Sequence, residues 1–595
     1  LRKNHAIVFS SLKIDFILCP DLTNHPERFI VSSYKTIPEI FHKSIESFPS
    51  IPALGYVDDQ PMTYSQLNDK VMGICAVLEE AGIKKGDRVA ILSENCPHWG
   101  VAFFAITTMG AVGVPILTQF HPSAVVHIIR HSEAKLAFVS KSLFSKIGES
   151  DLQDIEIIFI DDFSQAQSES EGRKRIKNAL STGLKGLDRL KQSAYKFTGR
   201  DHLSQVSPDD LAAIVYTSGT TGHSKGVMLT HKNLVYDAEM AGKLVNAGPE
   251  DRFLSILPLA HTYECSLGLV VPILVGGSVS YLREAPTPRI LIPAMGKVKP
   301  TIMLMVPLVI EKIFKNKVLP QLNKNRLMRG FYSIGAVRKK LHALAGKKLM
   351  ASFGGEIKAI CIGGAALAPE AERFLRDAGI PYSVGYGLTE TAPLVAGARP
   401  SETRFTSTGP PLEGVELKIN NPDPETGIGE IMVKGPNVMQ GYYKAPEITR
   451  EVLTHDGWLH TGDLGRLDRD NYVYIKGRLK NVIVGSSGEN IYPEEVEAII
   501  NQFDYVLESL VYSVQGMLVA RVHLNYEKLD ENFGLKNISE SEFLSKIKNL
   551  LEELKKSVNS RVSDFSKLSK IIEQTEPFEK TPTQKIKRYL YIEDI

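Results

Sequence analysis

The sequence predicts an α/β protein with a large layered N-terminal domain built of α/β subdomains, followed by a smaller C-terminal α+β domain. Three observations predict it. Short apolar runs alternate with helix-like segments through most of the chain, the pattern of parallel strands covered by helices. At 595 residues the chain is too long for one core, because domains average roughly 150 residues, so three or four packing units are expected. Near residue 480 the texture changes, and the remaining stretch of about 115 residues suffices for a small domain of its own.

The elements follow in order. Residues 1–35 read as an N-terminal extension: Leu1, Arg2 and Lys3 precede Ala6 to Phe9 and Phe16 to Leu18, a faint imitation of a signal peptide that Lys13 and Asp15 interrupt. Tyr64 to Ala81 reads as a helix, and Arg88 to Leu92 and Leu211 to Tyr216 as buried strands. Val101 to Leu117 and Leu267 to Val279 are apolar but punctuated by Gly and Pro, short of the about 20 residues of a membrane span, and read as buried strands and helices. Glu169 to Tyr195 and Phe314 to Met350 carry Lys and Arg at helical intervals among Leu and Ile. They read as surface helices inserted into the layered core, with contact to a membrane surface as the sharper alternative. Beyond 480, Tyr505 to Tyr512 and Leu518 to Leu524 alternate as strands, and Ser541 to Lys556 is a Lys/Glu-rich helix. The large domain is therefore placed at 36–479 and the small one at 480–595.

Hydrophobic residues make up 43% and charged residues 23%, with 70 Lys+Arg against 68 Asp+Glu. That is the balance of a globular protein and offers no electrostatic case for nucleic acid. The five cysteines, at 19, 75, 96, 265 and 361, form no CxxC pair and no zinc spacing with His. A reduced, cytoplasmic compartment fits them. No repeat or long low-complexity linker is visible, and oligomeric state carries no sequence signal.

The most informative segment is Tyr216-Thr-Ser-Gly-Thr-Thr-Gly-His-Ser-Lys225-Gly226-Val227, between an apolar strand and a second one that is capped into a helix at Thr230. Glycines let backbone N–H groups close around phosphate oxygens, the hydroxyls add donors, and Lys225 adds charge. Thr217, Ser218, Gly219, Thr220, Thr221, Gly222 and Lys225 thus form a candidate polyphosphate cradle. It is not a Walker A loop, which needs Gly-Lys followed by Ser or Thr. Here Ser224 precedes and Gly226 follows the lysine.

This loop resembles the signature of the adenylate-forming superfamily, which includes acyl-CoA synthetases, luciferases and the adenylation domains of peptide synthetases; Ser224 stands where those proteins usually have Pro. Further segments resemble the superfamily's other motifs in sequence order. Leu257-Pro-Leu-Ala-His261-Thr-Tyr-Glu264 is similar to the motif whose His lines the acyl pocket, which makes His261 a positioning group more than an acid or base. Cys361-Ile-Gly363-Gly364-Ala365 offers small residues against which an adenine ring can lie. In Gly385-Tyr386-Gly387-Leu388-Thr389-Glu390-Thr391 the resemblance implies that Tyr386 stacks on adenine, Thr389 touches the α-phosphate and Glu390 helps hold magnesium, a hard cation that takes carboxylate oxygen. Trp458-Leu-His-Thr461-Gly462-Asp463 sets an acid in a glycine turn, and the resemblance gives Asp463 the two ribose hydroxyls. Gly477-Arg478-Leu479-Lys480 resembles the end of the large domain, with Arg478 reaching the ribose and Lys480 as hinge. Asn481 to Glu497 resembles the glycine-rich loop of the thiol step. Phe578-Glu-Lys580-Thr-Pro-Thr-Gln-Lys585-Ile-Lys587-Arg588 resembles the terminal motif with the adenylation lysine, taken as Lys585, although Gln584 replaces the usual Gly and Lys580 and Lys587 compete.

The resemblance implies ATP, Mg2+ and coenzyme A as the small-molecule set. A carboxylic acid is activated as acyl-AMP with pyrophosphate release, and the acyl group then passes to a thiol as the small domain rotates. Asp456 to Leu464, the insertion at 315–350 and Ile483 to Asn490 resemble long-chain fatty acid–CoA ligases, although Gly465 to Tyr472 departs from their commonest form. A fatty acid partitions into bilayers, so transient contact with the inner face of a membrane goes with that substrate. Two alternatives remain at this stage: loading of an acyl carrier protein, and a silent scaffold that binds lipid or nucleotide.

Overall fold

Two mostly parallel sheets carry the large part of the chain. The computed structural model describes residues 34–147, 155–165, 205–218, 224–322, 330, 332–484, 489–533, 539–581 and 585–592. Among these, one sheet has seven strands in the order Tyr382–Val384, Ala359–Ile362, Ile302–Met305, Arg252–Ser255, Ser278–Tyr281, Pro52–Tyr56 and Met62–Thr63, all parallel but the last. The other has eight, in the order Gly441–Tyr442, Ser224–Thr230, Leu211–Ser218, Val112–Pro115, Arg88–Leu92, Ala134–Val139, Glu156–Phe159 and Ser164–Gln165. Its central strands are parallel and antiparallel strands close both ends.

Central strands such as Arg88–Leu92 and Val112–Pro115 are buried nearly throughout, which is why they read as unbroken apolar runs. The helix Pro97–Thr108 is buried along almost its whole length and touches strands of both sheets. An all-round apolar sequence is what a helix between two sheets requires. The expected helix over 64–81 is Tyr64–Glu80, opened by a reciprocal capping box of Thr63 and Gln66. Val101 to Leu117 splits into the Pro97–Thr108 helix and the Val112–Pro115 strand, and Leu267 to Val279 into a π-helical turn Tyr263–Val270, the helix Val271–Val275 and the strand Ser278–Tyr281.

One strand direction differs from the expected parallel alternation. Leu211–Ser218 and Ser224–Thr230 are antiparallel, with Thr217 opposite Lys225, because five intervening residues are too few for a parallel crossover. Thr230 then caps the helix His231–Leu244 as expected, reciprocally with Asn233.

A four-stranded antiparallel sheet follows, in the order Glu416–Asn420, Gly429–Lys434, Leu459–Leu467 and Val473–Arg478. Further on, Val506–Val514 and Met517–Leu524 form a hairpin joined in parallel by Lys570–Glu573, with the helix Glu540–Asn559 packed on it. Residues from Ile491 to Ile571 supply an apolar cluster of their own, while residues 34–595 hold together as one compact unit. The charged segment 314–350 supplies the helix Gly335–Ser352. Residues 1–33 of the extension and the charged segment 169–195 lie outside the described residues. No helix among the described residues is long and apolar enough to cross a membrane.

Candidate active site

The site is assembled where the paired strands Leu211–Ser218 and Ser224–Thr230, the Tyr386–Thr391 segment, the four-stranded sheet and the C-terminal segment converge. Thr217 and Ser218 end one strand of the hairpin, and Ser224 and Lys225 begin the return. Gly219, Thr220, Thr221 and Gly222, the tip of the expected cradle, lie outside the described residues. Lys225 places its Nζ 5.2 Å from the centroid of the Tyr442 ring, within the range of a cation–π contact. Tyr442 sits on the neighbouring strand, opposite Val227, and donates its hydroxyl to Glu390 Oε1 at 2.8 Å. The backbone of Glu390 is held in turn, its carbonyl accepting from Met439 N at 2.9 Å. One tyrosine therefore joins the candidate phosphate lysine to the candidate metal carboxylate.

Thr389 and Glu390 lie in a single 3-10 turn, Thr389–Thr391. Just before it, a Cβ on Gly387 would fall 1.7 Å from the Pro393 carbonyl oxygen, so only glycine fits. Tyr386 donates its hydroxyl to Asp463 Oδ2 at 2.8 Å, and Arg478 Nε approaches Asp463 Oδ1 at 2.7 Å. Asp463 and Arg478 are direct cross-strand partners. Asp463 is expected in a glycine turn; it stands instead inside the strand Leu459–Leu467, at an irregularity where Gly462 takes a φ of +66° and residues 461–463 face the single residue Ile431 of the neighbouring strand. Pairing with Val473–Arg478 keeps the strand, and the glycine signal appears as a bulge within it. Burial raises the Asp463 pKa, opposed by Arg478, the Tyr386 hydroxyl and Lys585. Each carboxylate oxygen keeps a lone pair beyond the bond it already accepts.

Gly363, Gly364 and Ala365 follow the strand Ala359–Ile362, the last two exposed. A Cβ on Gly363 would come within 3.3 Å of the Tyr263 ring, and Gly364 has a φ of +89°. Tyr263 locks this strand end by donating to the Cys361 carbonyl at 2.9 Å. Two residues earlier, His261 Nδ1 accepts from Tyr263 N at 3.2 Å. Burial pushes the His261 pKa down to about 4, and the charge of Lys585 adds to the shift. The ring is neutral at pH 7 and suits contact with an acid's apolar surroundings better than proton transfer.

Lys585 lies on the exposed side of the site, yet enough protein surrounds its ammonium that desolvation lowers its pKa. Arg478 lowers it further, while Asp463 and Glu390 oppose. The C-terminal segment thus brings its lysine to the same cluster as Glu390, Asp463, Arg478 and His261. Its two competitors are engaged elsewhere: Lys580 pairs with Glu508, and Lys587 with Glu579 at 3.2 Å. Lys480 is exposed in the short turn Leu479–Asn481. Gly485 to Gly488 of the glycine-rich loop lie outside the described residues.

Residues 41–443 match the family described as AMP-binding enzyme. The chain belongs to that family. It is an adenylate-forming enzyme in the sense the family shares. It is 30% identical over 608 residues to long chain acyl-CoA synthetase 1 of Arabidopsis thaliana, covering 92% of this chain and 89% of that one. It is also 30% identical, over 78% of this chain and 73% of the other, to a chloroplastic long-chain-fatty-acid–[acyl-carrier-protein] ligase of the same plant. Among solved structures it is similar to an ATP-bound RpMatB-BxBclM chimera, with a TM-score of 0.70 at 25% identity over 93% of this chain and 98% of that one.

Sequence reasoning missed Tyr442 and Tyr263. Tyr263 lies inside a motif whose histidine drew the attention. Tyr442, in Gly441-Tyr-Tyr, carries no signal of its own; the strand pairing alone brings it to Lys225 and Glu390.

Proposed function

We propose that this enzyme is an AMP-forming acid–thiol ligase that converts a long-chain fatty acid and ATP to acyl-AMP and pyrophosphate, then transfers the acyl group to coenzyme A. The observation that carries the reading is the meeting of Lys585 from the C-terminal segment with Glu390, Asp463 and Arg478. A carboxylate is a poor electrophile, and AMP supplies the leaving group that oxide cannot be. In-line attack of the carboxylate oxygen on the α-phosphate breaks the bond to pyrophosphate and demands charge stabilisation more than a base.

Lys225 and Lys585 stabilise the phosphates, the latter at the α-phosphate beside Thr389, with Thr217 and Ser218 adding donors to the polyphosphate. Asp463, oriented by Tyr386 and Arg478, accepts from the ribose hydroxyls. Gly364 and Ala365, exposed at their strand end, border the adenine with Tyr386, while Gly363 and Gly387 admit the Tyr263 ring and the Pro393 carbonyl, and His261 borders the carboxylate of the acid. Glu390 fits a magnesium ion: one oxygen is occupied by Tyr442, and no cluster of three acidic, His or Cys ligands stands among the described residues. That is the donor set of an ion held by one carboxylate together with substrate phosphates, where it supplies charge neutralisation. The thiol step does not need Lys585 beside the phosphate. We accordingly assign residues 36–479 to the large domain and 480–595 to a small domain that turns about Lys480 between the two half-reactions.

The helix Gly335–Ser352 supports contact with an anionic bilayer that delivers the acid. It carries Arg338, Lys339, Lys340, Lys347 and Lys348 and no acidic residue, and Leu344, 61% exposed, lies one turn from both Lys340 and Lys348. An apolar tip ringed by cations suits a headgroup interface.

The test is a panel of acids from acetate to oleate, with pyrophosphate, AMP and thioester followed separately. Coenzyme A thioester strongest at long chains is the expected result. Pyrophosphate without a coenzyme A thioester assigns the acceptor to a carrier protein, and no turnover with any acid leaves the scaffold.

A further inference from the structure

The carboxyl ends of the two sheets are tied together at Asn95, a residue the roles above leave unused. It follows the strand Arg88–Leu92, where the eight-stranded sheet changes direction. From Arg88–Leu92 the chain goes to Val112–Pro115 on one side, and from Ala134–Val139 to Glu156–Phe159 on the other. Such reversal points are where open α/β sheets place functional groups. A cavity of about 820 Å³ opens there, walled in part by Asn95.

The Asn95 amide reaches the segment that leaves the other sheet after Arg252–Ser255. Its Nδ2 donates to Ser255 Oγ at 2.9 Å and to the Leu257 carbonyl at 2.6 Å, and its Oδ1 accepts from Leu259 N at 2.9 Å. Both amide hydrogens and one acceptor position are thereby used. The segment between Ser255 and Tyr263 has no ladder of its own, so one asparagine does for it what a neighbouring strand does elsewhere. The restraint continues to the site: Ser255 donates on to the buried Glu264 Oε1 at 2.5 Å, and His261 N donates to the Pro258 carbonyl at 2.9 Å, closing the turn that carries the imidazole.

We propose that Asn95 is a positioning residue for acid activation, holding the Leu257–His261 turn so that His261 and its neighbours meet the acid's carboxylate; this rests on the proposed ligase reading. ATP is held by other elements, so the effect falls on one substrate only. In Asn95→Ala, kcat/KM for the acid in pyrophosphate release drops about 10- to 100-fold, the scale of a displacement near 1 Å at a reacting group. The KM for ATP stays within about twofold, since Asp463, Arg478 and Lys225 are untouched. Amide exchange in the peptide spanning residues 255–263 accelerates, because Leu259 N–H loses its acceptor.

Equal losses for acid and ATP, or unchanged kinetics with faster exchange, would reduce Asn95 to a structural clamp and overturn the proposal. Should Asn95→Ala fail to fold, Ser255→Ala removes the link to Glu264 and the acceptor of one Asn95 amide hydrogen, while the Asn95 bonds to Leu257 and Leu259 remain. It is expected to lower kcat/KM for the acid by about threefold to tenfold, the scale of one neutral hydrogen bond, and the absence of an acid-specific loss there also overturns the idea. A wild-type enzyme inert toward every acid would instead defeat the ligase reading, while the exchange measurement would still report whether the clamp exists.

Discussion

Lys585→Ala separates the two half-reactions. The ammonium faces the carboxylates of Glu390 and Asp463 and the guanidinium of Arg478, the cluster assigned to the phosphates. Removing one donor aimed at developing oxyanion charge costs about 2.7–4 kcal/mol, or 10²- to 10³-fold in rate. That loss should appear in pyrophosphate release from acid and ATP. Thioester formation from supplied acyl-AMP and coenzyme A should change far less, because no phosphoryl transfer remains. Lys580→Ala and Lys587→Ala are the controls: their ammoniums are paired with Glu508 and Glu579, and their loss should leave adenylation within about fivefold, the scale of a surface ion pair. A pH profile adds a second readout. The protonated amine is the active form and its pKa is lowered in the free enzyme, so kcat/KM for adenylation, which reports the free enzyme, falls, as pH rises, earlier than the ordinary lysine value near ~10.4 would give, and Lys585→Arg moves that limb upward. Equal losses in both half-reactions, or a larger loss from either control, refute the assignment.

Other perturbations read other parts of the molecule. Tyr442→Phe keeps the ring over Lys225 but deletes the donor to Glu390; a hydrogen bond to a charged group contributes about 1.5–3 kcal/mol, so adenylation should fall about 10- to 100-fold with a higher magnesium requirement, measured by pyrophosphate release across a magnesium titration. Lys340→Glu combined with Lys348→Glu should weaken cosedimentation with phosphatidylglycerol vesicles by at least about 30-fold, at about 1 kcal/mol per lysine, while leaving turnover of a detergent-dispersed acid intact. His231 is fully buried, and desolvation holds its pKa at about 4 against an ordinary 6.5. Its stabilising contribution is complete above pH 6.5 and is lost as pH falls toward 4, about 2 kcal/mol by pH 5; the difference in urea midpoint between pH 7 and pH 5 should therefore shrink in His231→Gln.

Much of this was legible in sequence because local chemistry fixes it. Arg88–Leu92 is a strand because its apolar run is covered on both faces, and Thr230 caps a helix because Asn233 stands three residues on. Tyr386, Glu390, Asp463 and Arg478 stand out in sequence by the resemblance of their segments to family motifs, and the fold brings them to one cluster. What was not legible is who meets whom. Asp463 was expected in a turn, and nothing local tells that Arg478, fifteen residues later, lies directly across from it. Tyr442 reaches Glu390 only through strand pairing, and Asn95 reaches Ser255 only because two sheets end side by side.

The same geometry explains why the lysine proposed for adenylation is poorly settled by its surroundings. Lys225 has an aromatic face beneath it, and Arg478 has a carboxylate. Lys585 arrives beside a guanidinium and pays desolvation for two carboxylates that are already shared, which is why its pKa falls rather than rises. On the proposed reading, the missing counter-charge is the nucleotide. A triphosphate adds negative charge where Arg478 now opposes the ammonium, raises the Lys585 pKa and favours the docked segment. Departure of pyrophosphate removes most of that charge and with it the electrostatic reason for the segment to stay, so a turn about Lys480 toward the thiol step follows from charge accounting in the site itself.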